Sequence, residues 1–329
     1  MIDQWGRAVT YMRVSVTDRC NLRCVYCMPP EGVPLRAHEE ILTYEEIQRV
    51  IKAGLCLGID RVRITGGEPL VRPGLVQFLS WLKPMGVRDL SLSTNGLLFT
   101  SMARDLKAAG VNRVNFSLDT LQPERFRRIV RLNGDPGDVL KAVQTALDLG
   151  MEPVKLNMVV IRGWNDDEVA DMARLTLEQP IHVRYIEVMP FSQGYPFTEE
   201  NLVPAAEIRE RLMEVFGSLE PVREGVPGNG PAKYWRLPGA RGTVGFISAL
   251  TECFCAGCNR IRLSADGKIS PCLGHIHEVD LKPVLRSPDY SLDKLVEALA
   301  AAIQAKPREH NFLDGDPEYR LRVMNAIGG

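Results

Sequence analysis

The chain has 329 residues, 45% of them hydrophobic and 25% charged, the composition of an ordinary globular protein with ample material for a core. Its 40 basic and 41 acidic residues leave a net charge of −1, which gives no global attraction to nucleic acid or to a membrane surface. No apolar run approaches the roughly 18 residues needed to span a bilayer. The first residues lack the basic and apolar regions of a secretory signal, so a cytoplasmic location is expected.

From residue 10 to about 190, short β-rich runs alternate with longer amphipathic ones. Strands are expected at Met12–Val16, Arg61–Ile64, Leu90–Ser93, Arg113–Ser117, Val154–Val159 and Val183–Glu187. Helical patterns between them cover Tyr44–Leu57, Leu75–Lys83, Ser101–Ala109, Val139–Leu149 and Glu168–Glu178. Thr43 and Glu46 form a capping-box pattern, and Gly58, Gly86, Gly110 and Gly150 follow helical runs where a left-handed residue is favoured. Strand–helix alternation implies right-handed βαβ units and a parallel α/β sheet, with function at the C-terminal strand ends. TGGEP, STNG, SLDT and a Met-Pro-Phe segment stand there, after the second, third, fourth and sixth strands. Residues 218–245, rich in Pro and Gly, read as a long ordered loop. Short strands follow at Gly245–Ser248, Asn259–Leu263 and Lys268–Ser270, and helical patterns at about 281–286 and 291–304. The expected fold is a partial (βα)6 TIM-like barrel over residues 1–200, with a C-terminal extension over 201–329.

Six of the eight cysteines form two triplets: Cys20, Cys24 and Cys27 in CNLRCVYC, and Cys255 and Cys258 in FCAGC with Cys272 in SPCLG. In a reducing compartment such clusters read as metal ligands rather than disulfides. Three thiolates leave one iron of a cubane [4Fe–4S] cluster open to a small molecule. A four-cysteine zinc site made from Cys24, Cys27, Cys255 and Cys258 is the alternative, and it leaves Cys20 and Cys272 unexplained. Cys56 reads as a small buried hydrophobe. Cys253 is either a spare ligand or a neighbour; the second is preferred because Cys255, Cys258 and Cys272 already make a set.

C-x3-C-x2-C with Tyr26 before the third cysteine resembles the radical S-adenosylmethionine superfamily. The runs YMRVSVTDRCNLRCVYCMP, VRITGGEPLVR, LSTNG, VNFSLDT and CNRIRLSADGKISPCL narrow the resemblance to the MoaA family of GTP 3′,8-cyclases, from Arg13 to Gly329. That resemblance implies two [4Fe–4S] clusters, one on each triplet, with the second in the C-terminal extension and meeting the guanine base. It implies S-adenosylmethionine held by Tyr26, Gly67, Ser117 and Met189. GTP is implied at Arg13, Arg63, Thr94, Lys155, Arg260 and Arg262, with Arg260, Arg262 and a Gly328–Gly329 tail serving catalysis. A 5′-deoxyadenosyl radical would take the ribose 3′ hydrogen, and the 3′ carbon would then attack guanine C8 on the way to the molybdenum cofactor. An electron donor and a downstream molybdopterin-pathway enzyme are the implied partners, and homodimerisation is left open.

The residue chemistry agrees on one point. Arg13, Arg63 and Lys155 stand in parallel strands, where a cation is costly unless paired, and a triphosphate favours Arg. No G-x4-GK[ST] loop is present, which excludes a P-loop. Arg61 and Arg113 read as solvated strand starts, and His275 and His277 as surface residues. The segment after Met189, PFSQGYPF, departs from the glycine-rich version expected in the family. A peptide-modifying radical enzyme and a two-cluster electron carrier are the rival functions.

Overall fold

The computed structural model describes residues 1–190, 198–222, 226, 228–310, 312 and 324. Its core is a run of six βα units. Strands β1 (Tyr11–Ser15), β2 (Arg61–Thr65), β3 (Asp89–Thr94), β4 (Arg113–Ser117), β5 (Lys155–Val160) and β6 (His182–Glu187) pair in sequence order, all parallel. Helices α1 (Tyr44–Cys56), α2 (Leu75–Leu82), α3 (Phe99–Ala108), α4 (Pro123–Val130), α5 (Pro136–Asp148), α6 (Val169–Glu178) and α7 (Ala205–Phe216) complete this part. All six expected strands form, within a residue or two of their expected ends. Thr43 caps α1 as expected: its hydroxyl accepts from Glu46 N at 3.2 Å, and the Glu46 carboxylate accepts from Thr43 N at 2.8 Å. The four expected glycines after helices all have positive φ.

Helices α4 and α7 were not anticipated. In α4, PERFRRIV carries four charged residues in eight and buries only Phe126, Ile129 and Val130, so its apolar stripe is too short to stand out. Cys56 is exposed, contrary to the sequence reading. It ends α1 on the face opposite the buried Val50, Ala53 and Gly54, where helical phase rather than residue type decides burial.

The C-terminal part adds strands to both edges of the sheet. The strands are β7 (Glu220–Pro221), β8 (Lys233–Arg236), β9 (Thr243–Ile247), β10 (Arg260–Leu263), β11 (Lys268–Ser270) and β12 (Val279–Asp280), followed by α8 (Lys282–Leu285) and α9 (Leu292–Gln304). The order is β12-β11-β10-β1-β2-β3-β4-β5-β6-β9-β8-β7, with β10 parallel to β1 and β9 parallel to β6. The extension therefore lengthens the barrel wall as well as following it. Part of the expected 218–245 loop is strand, because Tyr234 and Trp235 pair with Gly245 and Val244.

Strand phase positions the site. Met12, Val14, Val62, Ile64, Leu90, Leu92, Val114 and Phe116 pack outward in the main core under the helices. The alternate positions carry Arg13, Arg63, Ser91, Asn115, Asn157 and Arg184. Parallel strands buried on both faces usually read as continuous apolar runs. Here one face is polar in every strand, so the inside of the curled sheet is a binding surface.

Candidate active site inside the curled sheet

A cavity of about 270 Å³ is lined by Arg260 and Arg262 of β10, which flanks β1, and by Ile247 of β9, which flanks β6 at the far side of the six parallel strands. One cavity can touch both only if the sheet curls around it. Its lining includes Arg13, Tyr26, Arg63, Gly67, Ser117 and Met189, besides all three N-terminal cysteines. A second cavity of about 410 Å³ is lined by Cys258, Phe254, Asn259 and Arg61. The two share Gly230, Pro231 and Arg260, so they adjoin and link the two cysteine groups.

The first triplet sits on a loop fastened at several points. Leu22 N donates to Cys20 Sγ at 3.4 Å, and Cys27 N to the Cys24 carbonyl at 2.9 Å. The unanticipated α4 anchors the loop: Arg23 N donates to Val130 O at 2.9 Å, Val25 N to Ile129 O at 3.0 Å, and Arg131 Nη1 to Met28 O at 3.0 Å. Asn95 of STNG donates to Asn21 at 2.7 Å, tying the third strand's turn to the same loop. Gly67 is needed here for a protein contact, because a β-carbon at that position would collide with the Arg19 carbonyl just before Cys20.

This end of the cavity carries buried acidic groups. Burial pushes the Cys20 thiol up to about 11 and Cys24 well above its ordinary value. Burial also raises Glu68 to about 7 and Asp119 to about 6, against the hydrogen bonds that favour their charged forms. Glu68 accepts from Leu70 N at 3.0 Å, Thr94 Oγ1 at 2.8 Å and Asn95 N at 2.7 Å. Thr94 therefore has its hydroxyl engaged with Glu68 while it lines the cavity. The Tyr26 hydroxyl donates to Asp119 at 2.7 Å.

The opposite end is basic. Arg63 and Arg262 are buried, and burial brings each down to about 10; Arg13 falls well below its ordinary value, from burial and then from Arg262. Lys155 falls to about 5, chiefly by burial and then by repulsion from Arg184 and Arg113. It is buried over the Tyr234 ring at 5.6 Å rather than in the lining of either cavity. Arg184 and Arg113 are likewise cations in parallel strands, of which Arg184 was not expected at the site and Arg113 was expected to be solvated. Arg184 is buried and donates to Asn157 at 2.8 Å, while Asn115, with its amide turned to suit its donors, accepts from Arg184 at 3.0 Å and from Arg63. Arg113 is not solvated: it is buried against Asp89, with Nε to Oδ1 at 2.8 Å. Asn229 holds the same carboxylate at 2.6 Å, so Gly228–Pro231 folds over this end of the barrel. Arg61 is half-buried, pairs with Asp60 at 3.7 Å and lines the second cavity.

In the second triplet, burial pushes Cys255 up to about 12 and also raises Cys272. At Cys258 burial is outweighed by Arg260 and Lys306, which bring the thiol down to about 6. Lys306 is buried and donates to the carbonyls of Arg260 at 2.8 Å and Pro271 at 2.6 Å. Its place close to the cysteines comes from the chain after α9, which no local pattern announces. His277 is exposed as expected and His275 is half-buried. Gly328, Gly329 and residues 191–197 lie outside the described residues.

A parallel βα sheet curled around a cavity, with three cysteines on the loop after its first strand and a glycine turn after its second, defines a radical S-adenosylmethionine protein. A family model described as Radical SAM superfamily matches residues 14–176, and one described as Molybdenum Cofactor Synthesis C matches residues 181–312. Relatives named GTP 3′,8-cyclase are 52% identical in Desulforamulus reducens and 50% identical in Heliobacterium modesticaldum, each match covering 100% of both chains. The chain belongs to the GTP 3′,8-cyclase family. The fold is also that of Streptococcus suis SuiB bound to S-adenosylmethionine, at 14% identity and a TM-score of 0.60, covering 91% of this chain and 68% of that one.

The superfamily's cofactors are a [4Fe–4S] cluster and S-adenosylmethionine, and the donor set fits them. Three thiols on one loop, Cys20 and Cys24 strongly desolvated, stand beside the buried carboxylates of Glu68 and Asp119, and coordinated iron would add positive charge there while holding the thiols deprotonated. Among the described residues no helix is long and apolar enough to cross a membrane.

Proposed function

We propose that this chain is a GTP 3′,8-cyclase, converting GTP to (8S)-3′,8-cyclo-7,8-dihydroguanosine 5′-triphosphate in molybdenum cofactor biosynthesis. The observation that carries the reading is the polarity of the cavity. Its thiol-bearing end is acidic and suits a sulfonium and an ammonium group. Its other end gathers Arg13, Arg63, Arg184, Arg260 and Arg262 along one wall, and suits a triphosphate.

In this reading Cys20, Cys24 and Cys27 hold the cluster that binds S-adenosylmethionine, and Cys255, Cys258 and Cys272 hold a second one. When bound and reduced, the first cluster with S-adenosylmethionine supplies a 5′-deoxyadenosyl radical able to take the ribose 3′ hydrogen. Tyr26, Gly67, Ser117 and Met189 line the space for S-adenosylmethionine; Tyr26 is steadied by Asp119, and Gly67 keeps the cysteine loop against the glycine turn. Arg13, Arg63, Arg184, Arg260 and Arg262 neutralise the triphosphate, with Lys155 adding charge from behind the lining once protonated, and fix the ribose between the two thiol groups, a contribution of position and charge. Thr94 acts by holding Glu68. Gly328 and Gly329 form a side-chain-free tail that completes the site. The setting in this reading is a reducing cytosol, with an electron donor and a molybdopterin-pathway enzyme downstream. Residues 1–200 and 201–329 are two functional parts of one barrel wall.

Anaerobic incubation with reductant, S-adenosylmethionine and GTP tests this. The expected product is the cyclised nucleotide, identified by mass and NMR, together with 5′-deoxyadenosine and methionine. Cleavage of S-adenosylmethionine that GTP does not stimulate, with GTP recovered intact, would refute it.

A further inference from the structure

Cys253 belongs to neither triplet. Its thiol, the Cys255 thiol and a ring nitrogen of His310 nevertheless lie within 4.8 Å of one another. The bonding of His310 determines which nitrogen is offered. Nε2 stands 2.6 Å from the Ala249 carbonyl, which can only accept, so Nε2 carries the proton and Nδ1 presents its lone pair. The ring is also held in place. It packs against Phe312 with centroids 4.2 Å apart and the rings tilted by 38°, and a β-carbon at Gly274 would come within 2.5 Å of His310 Cβ. The His310 backbone N–H bonds the Cys255 sulfur, so the two ligand segments are already joined.

The donor types and spacing suit one ion. With Zn–S of about 2.3 Å and Zn–N of about 2.0 Å, two tetrahedral sulfurs and one nitrogen stand roughly 3.5–3.8 Å apart. Cys253 is exposed, which leaves its side chain room to close the remaining gap and gives an ion an entry path.

We propose that Cys253, Cys255 and His310 form a site for a single zinc-class divalent cation, with its fourth position open to water. Binding releases the two thiol protons to solvent. The site goes beyond the cyclase reading and draws on it only for Cys255, which that reading assigns to the second cluster. One sulfur cannot serve both in full, so the ion occupies the site when the cluster is absent and cluster assembly displaces it. The ion would then tie the Cys255 loop to the segment after α9 before iron arrives.

The test uses the full-length chain, stripped of iron anaerobically and titrated with Co²⁺ as the optical probe. Beyond any cobalt taken up by the two triplets, one equivalent that depends on Cys253 should bind with thiolate charge-transfer and tetrahedral d–d bands, and Zn²⁺ should displace it. Cys253→Ser and His310→Ala should each weaken binding at least ~10-fold, while Cys258→Ser and Cys272→Ser keep it. Reconstituted Cys253→Ser should carry wild-type iron, which also shows that this variant folds. The proposal fails if wild type shows no charge-transfer band, or if Cys253→Ser binds cobalt unchanged. It fails equally if Cys258→Ser abolishes binding, or if Cys253→Ser loses the second cluster's iron and so behaves as a cluster ligand.

Discussion

Arg13 stands in register with Arg63 on the neighbouring strand, and both line the same cavity. Two like charges side by side on a polar inner wall raise the energy of the empty site and lower that of a site holding an anion. Arg63→Gln should weaken GTP binding roughly 10- to 100-fold, the worth of one or two charge-assisted hydrogen bonds. The same change should leave the melting temperature of the unliganded protein unaltered or higher. Calorimetric titration and thermal unfolding read the two effects separately. A large fall in unliganded stability would show that Arg63 is a structural ion-pair partner.

Lys155, brought down to about 5 by burial and by Arg184 and Arg113, should take up a proton when a triphosphate arrives. At pH 7 the uptake approaches one proton per GTP, so affinity should fall as pH rises, by at most about tenfold per unit. Titrations in buffers of different ionisation enthalpy measure the uptake, and Lys155→Met should abolish it. Without ligand, the unfolded chain binds this proton more readily than the folded one. The Lys155 contribution to stability therefore improves as pH rises above about 5.

Gly67→Ala should act on the first cluster. The added β-carbon meets the Arg19 carbonyl, a backbone group that cannot swing aside, and drives the glycine turn away from the chain entering Cys20. A destabilisation of about 1–3 kcal/mol is expected, and iron should fall from about eight to about four per chain as one of two cubanes is lost. Iron analysis after anaerobic reconstitution checks this; full iron content would mean that the turn can yield.

Lys306→Met should release Cys258. With the cation gone, the thiol that Arg260 and Lys306 hold near 6 should titrate higher, so alkylation of the iron-free protein near pH 7 should slow markedly. The carbonyls of Arg260 and Pro271 also lose their donor, costing about 1–3 kcal/mol. An unchanged alkylation profile would assign the low value to Arg260 alone.

Deleting Gly328 and Gly329 should abolish cyclisation and leave both clusters bound. Iron content and product analysis decide it; full turnover by the shortened chain would remove the tail from the proposed site.

Much of the site could be read from the sequence because its signals are local. Cysteine spacing, glycine turns at strand ends and period-two alternation each act within a few residues, so the six strands, both triplets and Arg13, Arg63, Arg260 and Arg262 were identifiable. Arg184 was within reach of the same alternation in HVRYIE. Tertiary structure decided the matters that depend on contacts between distant segments. These include α4 holding the first cysteine loop, Arg113 turning inward to Asp89, Cys56 turning out and β9 and β10 extending the wall. Lys306 and His310 likewise reach the second triplet from the chain after α9. Local spacing determines which chemistry a segment can carry. Which buried charge finds a partner, and which is left facing the cavity, depends on packing between residues up to hundreds of positions apart.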